Sequence, residues 1–278
     1  MKPTIENYSY GPHERNVFDI YLADSKKPTP FIFIVHGGGF MQGDKARILD
    51  QVPLEEMLSS GISAFTTNYR LTNEGPFPMQ MLDCAKALQT IRHNAGNWNL
   101  DNNRVAASGG SAGSGISQWL AYSDDLADPN SSDPIARQST KLTCLVLMQA
   151  QSTYDPRIIK EIVPGNAYDH VAMKRLFGVA DDFNWNEDEI PQESIDRIEA
   201  CGPITLLNEK APPLLVKYNK HQKIPGDVHH SNMGKYLKEK TDQLGVDCTV
   251  VMDTDYEHGN EGFKKDFLQF LKKHFNLN

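Results

Sequence analysis

The sequence predicts an α/β protein built on a mostly parallel sheet of about eight strands with helices on both faces. Three observations carry this. Short apolar, β-branched runs recur along all 278 residues, amphipathic segments separate them, and glycines close several of those segments. Residues 16–22 alternate like a strand. Residues 31–35, Phe-Ile-Phe-Ile-Val, read as a strand buried on both faces. Runs at 62–68, 104–108, 143–149, 214–218 and 247–252 continue the series. Between them, helical patterns span 54–60 before Gly61, 78–94, 112–122, 230–244 before Gly245, and 262–274.

One stretch breaks this rhythm. Residues 154–208 hold no strand pattern, only short helical pieces near 168–177 and 193–200, with an acidic, aromatic loop at 181–189. An excursion this long between two strands is expected to form a cap over the sheet's C-terminal edge. Its aromatics Tyr168, Phe183 and Trp185 are expected to wall a pocket. The chain is otherwise expected to be a single domain, 1–278.

Composition narrows the function classes. A formal net charge of −8, from 28 Lys+Arg against 36 Asp+Glu, argues against general nucleic-acid binding while leaving room for a local basic patch. No apolar run approaches the length of a membrane span. Residues 1–4 show no apolar leader, and the compartment stays open between cytoplasm and export, for a protein expected to be soluble. The cysteines Cys84, Cys144, Cys201 and Cys248 are far apart, with no pairing or zinc spacing, and are expected to be buried free thiols.

The strongest chemical signal is Gly109-Gly110-Ser111-Ala112-Gly113, a G-x-S-x-G sequence between a strand and a helix. A serine on such a tight turn exposes its hydroxyl, and the first amides of the helix face the point of attack. The second signal is His36-Gly37-Gly38-Gly39-Phe40, directly after the buried strand. Consecutive glycines let backbone N–H groups converge on a developing oxyanion, and His36 is expected to orient that loop rather than to act as a base.

Together these segments resemble the α/β-hydrolase superfamily, and within it carboxylesterases of the hormone-sensitive-lipase and feruloyl-esterase-like (BD-FAE-like) type. Asn68-Tyr69-Arg70-Leu71, the helix start from Pro78 to Asp83, Asn99 to Arg104 and Phe18-Asp19-Ile20-Tyr21 are similar to that family too. Ser114 departs from it, where a further glycine is common. The resemblance implies an oxyanion hole from the amides of Gly38, Gly39 and Ala112. It also implies a base on the loop after the last strand, where His258 stands. His229 and His230, at the start of a predicted helix and with no metal-ligand partners at useful spacing, read as structural. The acid is implied in the turn after 214–218, but His221 and Gln222 occupy that place. Two carboxylates remain open as substitutes, Asp155 and Asp227, each also a plausible helix cap.

The expected function is therefore a serine hydrolase of small carboxylic esters, including acylated carbohydrate, working through an acyl-enzyme on Ser111 with no metal or cofactor. Formamidase or peptidase chemistry on the same groups, or a binding protein with an impaired site, are the alternatives. Oligomeric state is open.

Overall fold

A computed structural model of the chain describes residues 1–219 and 224–278. His221 and Gln222, the pair in the family's acid position, lie outside the described residues. The strands are β1 (Ile5–Ser9), β2 (Val17–Tyr21), β3 (Thr29–Val35), β4 (Ser63–Thr67), β5 (Leu100–Gly110), β6 (Cys144–Met148), β7 (Leu214–Tyr218) and β8 (Cys248–Met252). They form one sheet in the order β1-β2-β4-β3-β5-β6-β7-β8. Its β1–β2 and β2–β4 pairs are antiparallel and the rest are parallel. The sequence shows no apolar pattern for β1, because Ile-Glu-Asn-Tyr-Ser is a largely exposed edge strand held only by β2.

The strand alternation sorts side chains into two cores. Phe31, Phe33 and Val35 of β3 enter the larger one, beneath the helices α2 (Met79–His93), α3 (Ala112–Tyr122) and α8 (Asn232–Leu244). Ile32 and Ile34 point the other way, toward α1 (Leu54–Ser59) and α9 (Asn260–His274), where Met57, Phe263, Phe267 and Leu271 cover them. The four cysteines are free and buried.

After β3 the chain crosses to β4 on one side, then to β5 on the other. The crevice at the carboxyl ends of β3 and β5 is where such a reversal places a site. There β5 turns into α3 through Ser111, whose backbone sits at φ 52°, ψ −122°. Gly113 explains how α3 starts so close to β3: a Cβ at that position would stand 2.1 Å from the Val35 carbonyl oxygen.

Between β6 and β7 lie α4 (Pro156–Ile162), α5 (Val171–Phe177), α6 (Gln192–Cys201) and the short α7 (Pro203–Leu206). The segment is tied to the body: the Trp119 indole donates to the Ala200 carbonyl at 3.0 Å, and the Phe77 amide to that of Leu176 at 2.9 Å. The expected role of its aromatics is corrected here. Phe183 and Trp185 pack on each other at 4.9 Å, and Trp185 edges onto Phe177, so both stabilise the segment from within. Tyr168 lies under the Lys160 ammonium and accepts from the Asn186 amide.

Replacing Gly113 by alanine is expected to cost on the order of 3 kcal/mol, because the colliding atom is backbone and a Cβ there overpacks the contact between α3 and β3. Urea denaturation checks this, and an unchanged midpoint would mean that the approach relaxes freely.

Candidate active site

Hydrogen bonds hold the Ser111 backbone in a strained conformation. Its amide donates to the Met148 carbonyl at 3.0 Å, its carbonyl accepts from the Ser114 hydroxyl at 2.6 Å, and its backbone sits in the sparsely populated region noted above. The Ser114 departure therefore has a purpose in this chain, because a hydroxyl there braces the strained turn. Ser111, Ala112, Gly38 and Gly39 all line one cavity of about 500 Å³, with apolar walls from Phe40 and Tyr154 among others. As the first residue of α3, Ala112 has an amide without a partner inside the helix. Gly38 takes φ +115°, which an L side chain rarely adopts.

His36 locks the glycine loop. Arg15 donates from Nη2 to His36 Nε2 at 3.3 Å, so the ring proton belongs on Nδ1, which donates to the Gly37 carbonyl at 2.6 Å. The ring stacks on Tyr69 at 4.4 Å, and the Tyr69 hydroxyl donates to the His36 carbonyl. Arg15 also reaches the carbonyls of Tyr69 and Gly43, so one guanidinium ties both ends of the loop. Burial holds the His36 imidazole down at about 4, only partly countered by the Gly37 carbonyl.

The histidine beside Ser111 is His229. Its Nε2 lies 2.8 Å from Ser111 Oγ, and its Nδ1 lies 3.5 Å from Asp227 Oδ1. With the proton on Nδ1, Nε2 is free to accept from the serine hydroxyl. Asp227 Oδ1 also accepts from the His229 backbone amide at 2.8 Å, so the carboxylate grips the residue at both backbone and ring. Burial lowers the affinity of His229 for a proton. Asp227 opposes that shift, and His170, another residue lining the cavity, adds to it.

Residues 224–231 can present this histidine because they are pinned across the β6–β7 segment. Gly226 donates from its amide to the Pro164 carbonyl at 2.7 Å, and the Asn232 amide side chain reaches the Ile162 carbonyl at 2.7 Å. The loop then winds directly into α8.

His258 corrects the other expectation, since the structure does not bring it to Ser111. It sits exposed in the turn before α9, where its carbonyl accepts from the Glu261 amide, and it does not line the cavity. Tyr256 of that turn lies against Gly262 and donates to Asp266 on α9. Asp155 also stays away from the histidine. It caps α4 by accepting from the Arg157 amide and forms a two-oxygen pair with the Arg157 guanidinium. Of the two candidate acids, only Asp227 touches a histidine that touches Ser111. The sequence signal passed over was Asp227-Val228-His229 just ahead of a helix, a spacing that reads equally well as capping. Among the described residues, no group of three or more His, Cys, Asp or Glu is placed to hold a metal ion. No described helix is long and apolar enough to cross a membrane.

Three comparisons bear on this arrangement. The BD-FAE family model matches residues 18–231. Among curated proteins, a putative α/β hydrolase of Acanthamoeba polyphaga mimivirus is 30% identical over 42% of this chain and 34% of its own length. The match takes in 20–48% of the other curated relatives, so the chain spans less than half of each. Among solved structures, a truncated carbohydrate esterase from gut microbiota superposes with a TM-score of 0.76 at 19% identity, covering 98% of this chain and 96% of its own. An acetyl ester-xyloside bifunctional hydrolase from Caldicellulosiruptor lactoaceticus gives a TM-score of 0.73 at 20% identity, covering 94% and 89%. The shared architecture is the α/β-hydrolase fold.

The buried His36 predicts a pH-dependent stability. An unfolded chain takes up a proton near 6.5 that the folded chain refuses until about 4, so the contribution is full above 6.5 and is lost as pH falls toward 4. The loss by pH 4 is on the order of 3 kcal/mol. Urea midpoints between pH 7 and 4.5 should fall more steeply in the wild type than in His36→Asn; parallel slopes would contradict this.

Proposed function

The chain belongs to the BD-FAE family, and from that premise we propose that it is a serine esterase acting on small carboxylic esters. The observation that carries this is the 2.8 Å contact between Ser111 Oγ and His229 Nε2 in a cavity that also contains the glycine loop. A free serine hydroxyl is a poor nucleophile at neutral pH, and a neutral imidazole within hydrogen-bond reach corrects that. Burial favours the neutral form of His229, the form a base needs.

In this mechanism Ser111 Oγ attacks the ester carbon and gives its proton to His229 Nε2. The amides of Gly38, Gly39 and Ala112 hold the oxyanion of the tetrahedral intermediate, and Asp227 stabilises the imidazolium. The carbon–oxygen bond to the alcohol breaks, and His229 passes its proton to the departing oxygen. Water, activated by the same histidine, releases the acid.

A cavity of about 500 Å³ suits a short acyl chain or one aromatic acyl group with part of the alcohol. The neighbours described as a carbohydrate esterase and an acetyl ester-xyloside hydrolase support acylated carbohydrate as the substrate class. The proposal extends to one catalytic domain, with 154–208 as the cap that walls the site.

Turnover of a p-nitrophenyl acetate-to-octanoate series tests the reading. Wild type is expected to hydrolyse the short esters and to be labelled by a fluorophosphonate, and Ser111→Ala to do neither. Asp227→Asn should lose on the order of 10⁴ in kcat, whereas Asp155→Asn should stay within a few-fold. The acidic limb of kcat/KM should lie below 6.5 and move lower still in Asp227→Asn, since the carboxylate raises the His229 value. An Asp155 variant that collapses while Asp227→Asn survives would overturn the assignment of the acid.

A further inference from the structure

Besides His229 and His36 a third histidine lines the cavity, and the mechanism above leaves it without a task. His170 stands between a 3-10 turn (Ala167–Asp169) and α5, and lines the cavity together with Ala172 and Met173. The start of α5 lies directly over the glycine loop: a Cβ built on Gly39 would be 3.2 Å from the Ala172 Cβ. His170 therefore enters the cavity from the segment that lies over the glycine loop.

Its hydrogen bonding sets its chemistry. His170 Nδ1 accepts from the Ala172 amide at 3.1 Å, so the proton of the neutral ring belongs on Nε2. Ring geometry turns Nε2 away from the helix start that Nδ1 faces. A neutral imidazole fixed in this way offers one N–H donor and cannot compete with His229 for the serine proton. Burial favours that neutral form, and His170 and His229 line the same cavity.

Resting on the esterase reading, we propose that His170 Nε2–H donates a hydrogen bond to the leaving-group oxygen of the bound ester. The leaving oxygen must lie next to His229 Nε2, because that atom returns the proton, and His170 lines the same cavity with an N–H free to donate. As the carbon–oxygen bond breaks, its electron pair moves onto the leaving oxygen. The proton that neutralises this oxygen is the one His229 took from Ser111. His170 transfers nothing and stabilises the charge that builds before the proton arrives, which makes it a catalytic residue for esters of basic alcohols, such as sugar hydroxyls.

The two ring nitrogens separate by substitution. Asparagine mimics Nδ1 and keeps the cap on α5, whereas glutamine places a donor near the Nε2 position and weakens the cap. Purified His170→Asn, His170→Gln and wild type are compared by kcat/KM on p-nitrophenyl, phenyl and ethyl acetate, with urea midpoints and fluorophosphonate labelling of Ser111 in parallel. The expected loss in His170→Asn grows along that series, reaching about 10- to 100-fold for ethyl acetate. His170→Gln should recover most of it despite a lower midpoint. An equal loss on all three esters, or a defect in His170→Gln larger than in His170→Asn, would assign His170 to capping alone and overturn the proposal. Failure of the wild type itself to turn over any ester or to label would instead overturn the esterase reading, and this proposal with it.

Discussion

The contact between the first turn of α3 and the end of β3 is the constraint on which the site depends. Val35 ends its strand with a carbonyl so close to Gly113 that no side chain fits between them. That proximity allows the chain to turn from β5 into a helix within one residue, and Ser111 absorbs the cost as a positive φ. It also sets the glycine loop after β3 beside the unpaired amides that open α3. Ser111 and the glycine loop thus come from two strands that are neighbours in the sheet, at the reversal of strand order.

The proposed base and acid follow a different logic. Asp227 and His229 are two residues apart on one loop, so their relative placement is mostly local: the carboxylate holds the histidine amide as well as its ring. What must be supplied from elsewhere is the position of the whole loop. Its anchors are the Pro164 and Ile162 carbonyls at the end of α4, in the segment between β6 and β7. That segment therefore holds the loop that carries His229 in addition to lining the cavity.

Much of this was legible in the sequence. The elbow, the glycine loop and seven of the eight strands follow from patterns of small and β-branched residues, because buried parallel strands and tight turns tolerate few alternatives. β1 escaped because an exposed edge strand needs backbone partners rather than apolar side chains. The role given to Trp185 and Phe183 failed for a related reason: aromatic content does not say which way a loop folds, and these rings close on Phe177. His229 was passed over because residues just before a helix have a sufficient local explanation in capping. Only the tertiary fold reveals that this helix start faces Ser111. Asp155 shows the converse, since its capping explanation is also its structural one.

The most direct measurement is kcat/KM for p-nitrophenyl acetate with His229→Ala and His258→Ala, both checked for folding by urea denaturation. A loss of several orders of magnitude in His229→Ala, with His258→Ala close to wild type, is the predicted result. Collapse of His258→Ala with His229→Ala still active would contradict the assignment of His229 as base and move the catalytic centre to the loop before α9.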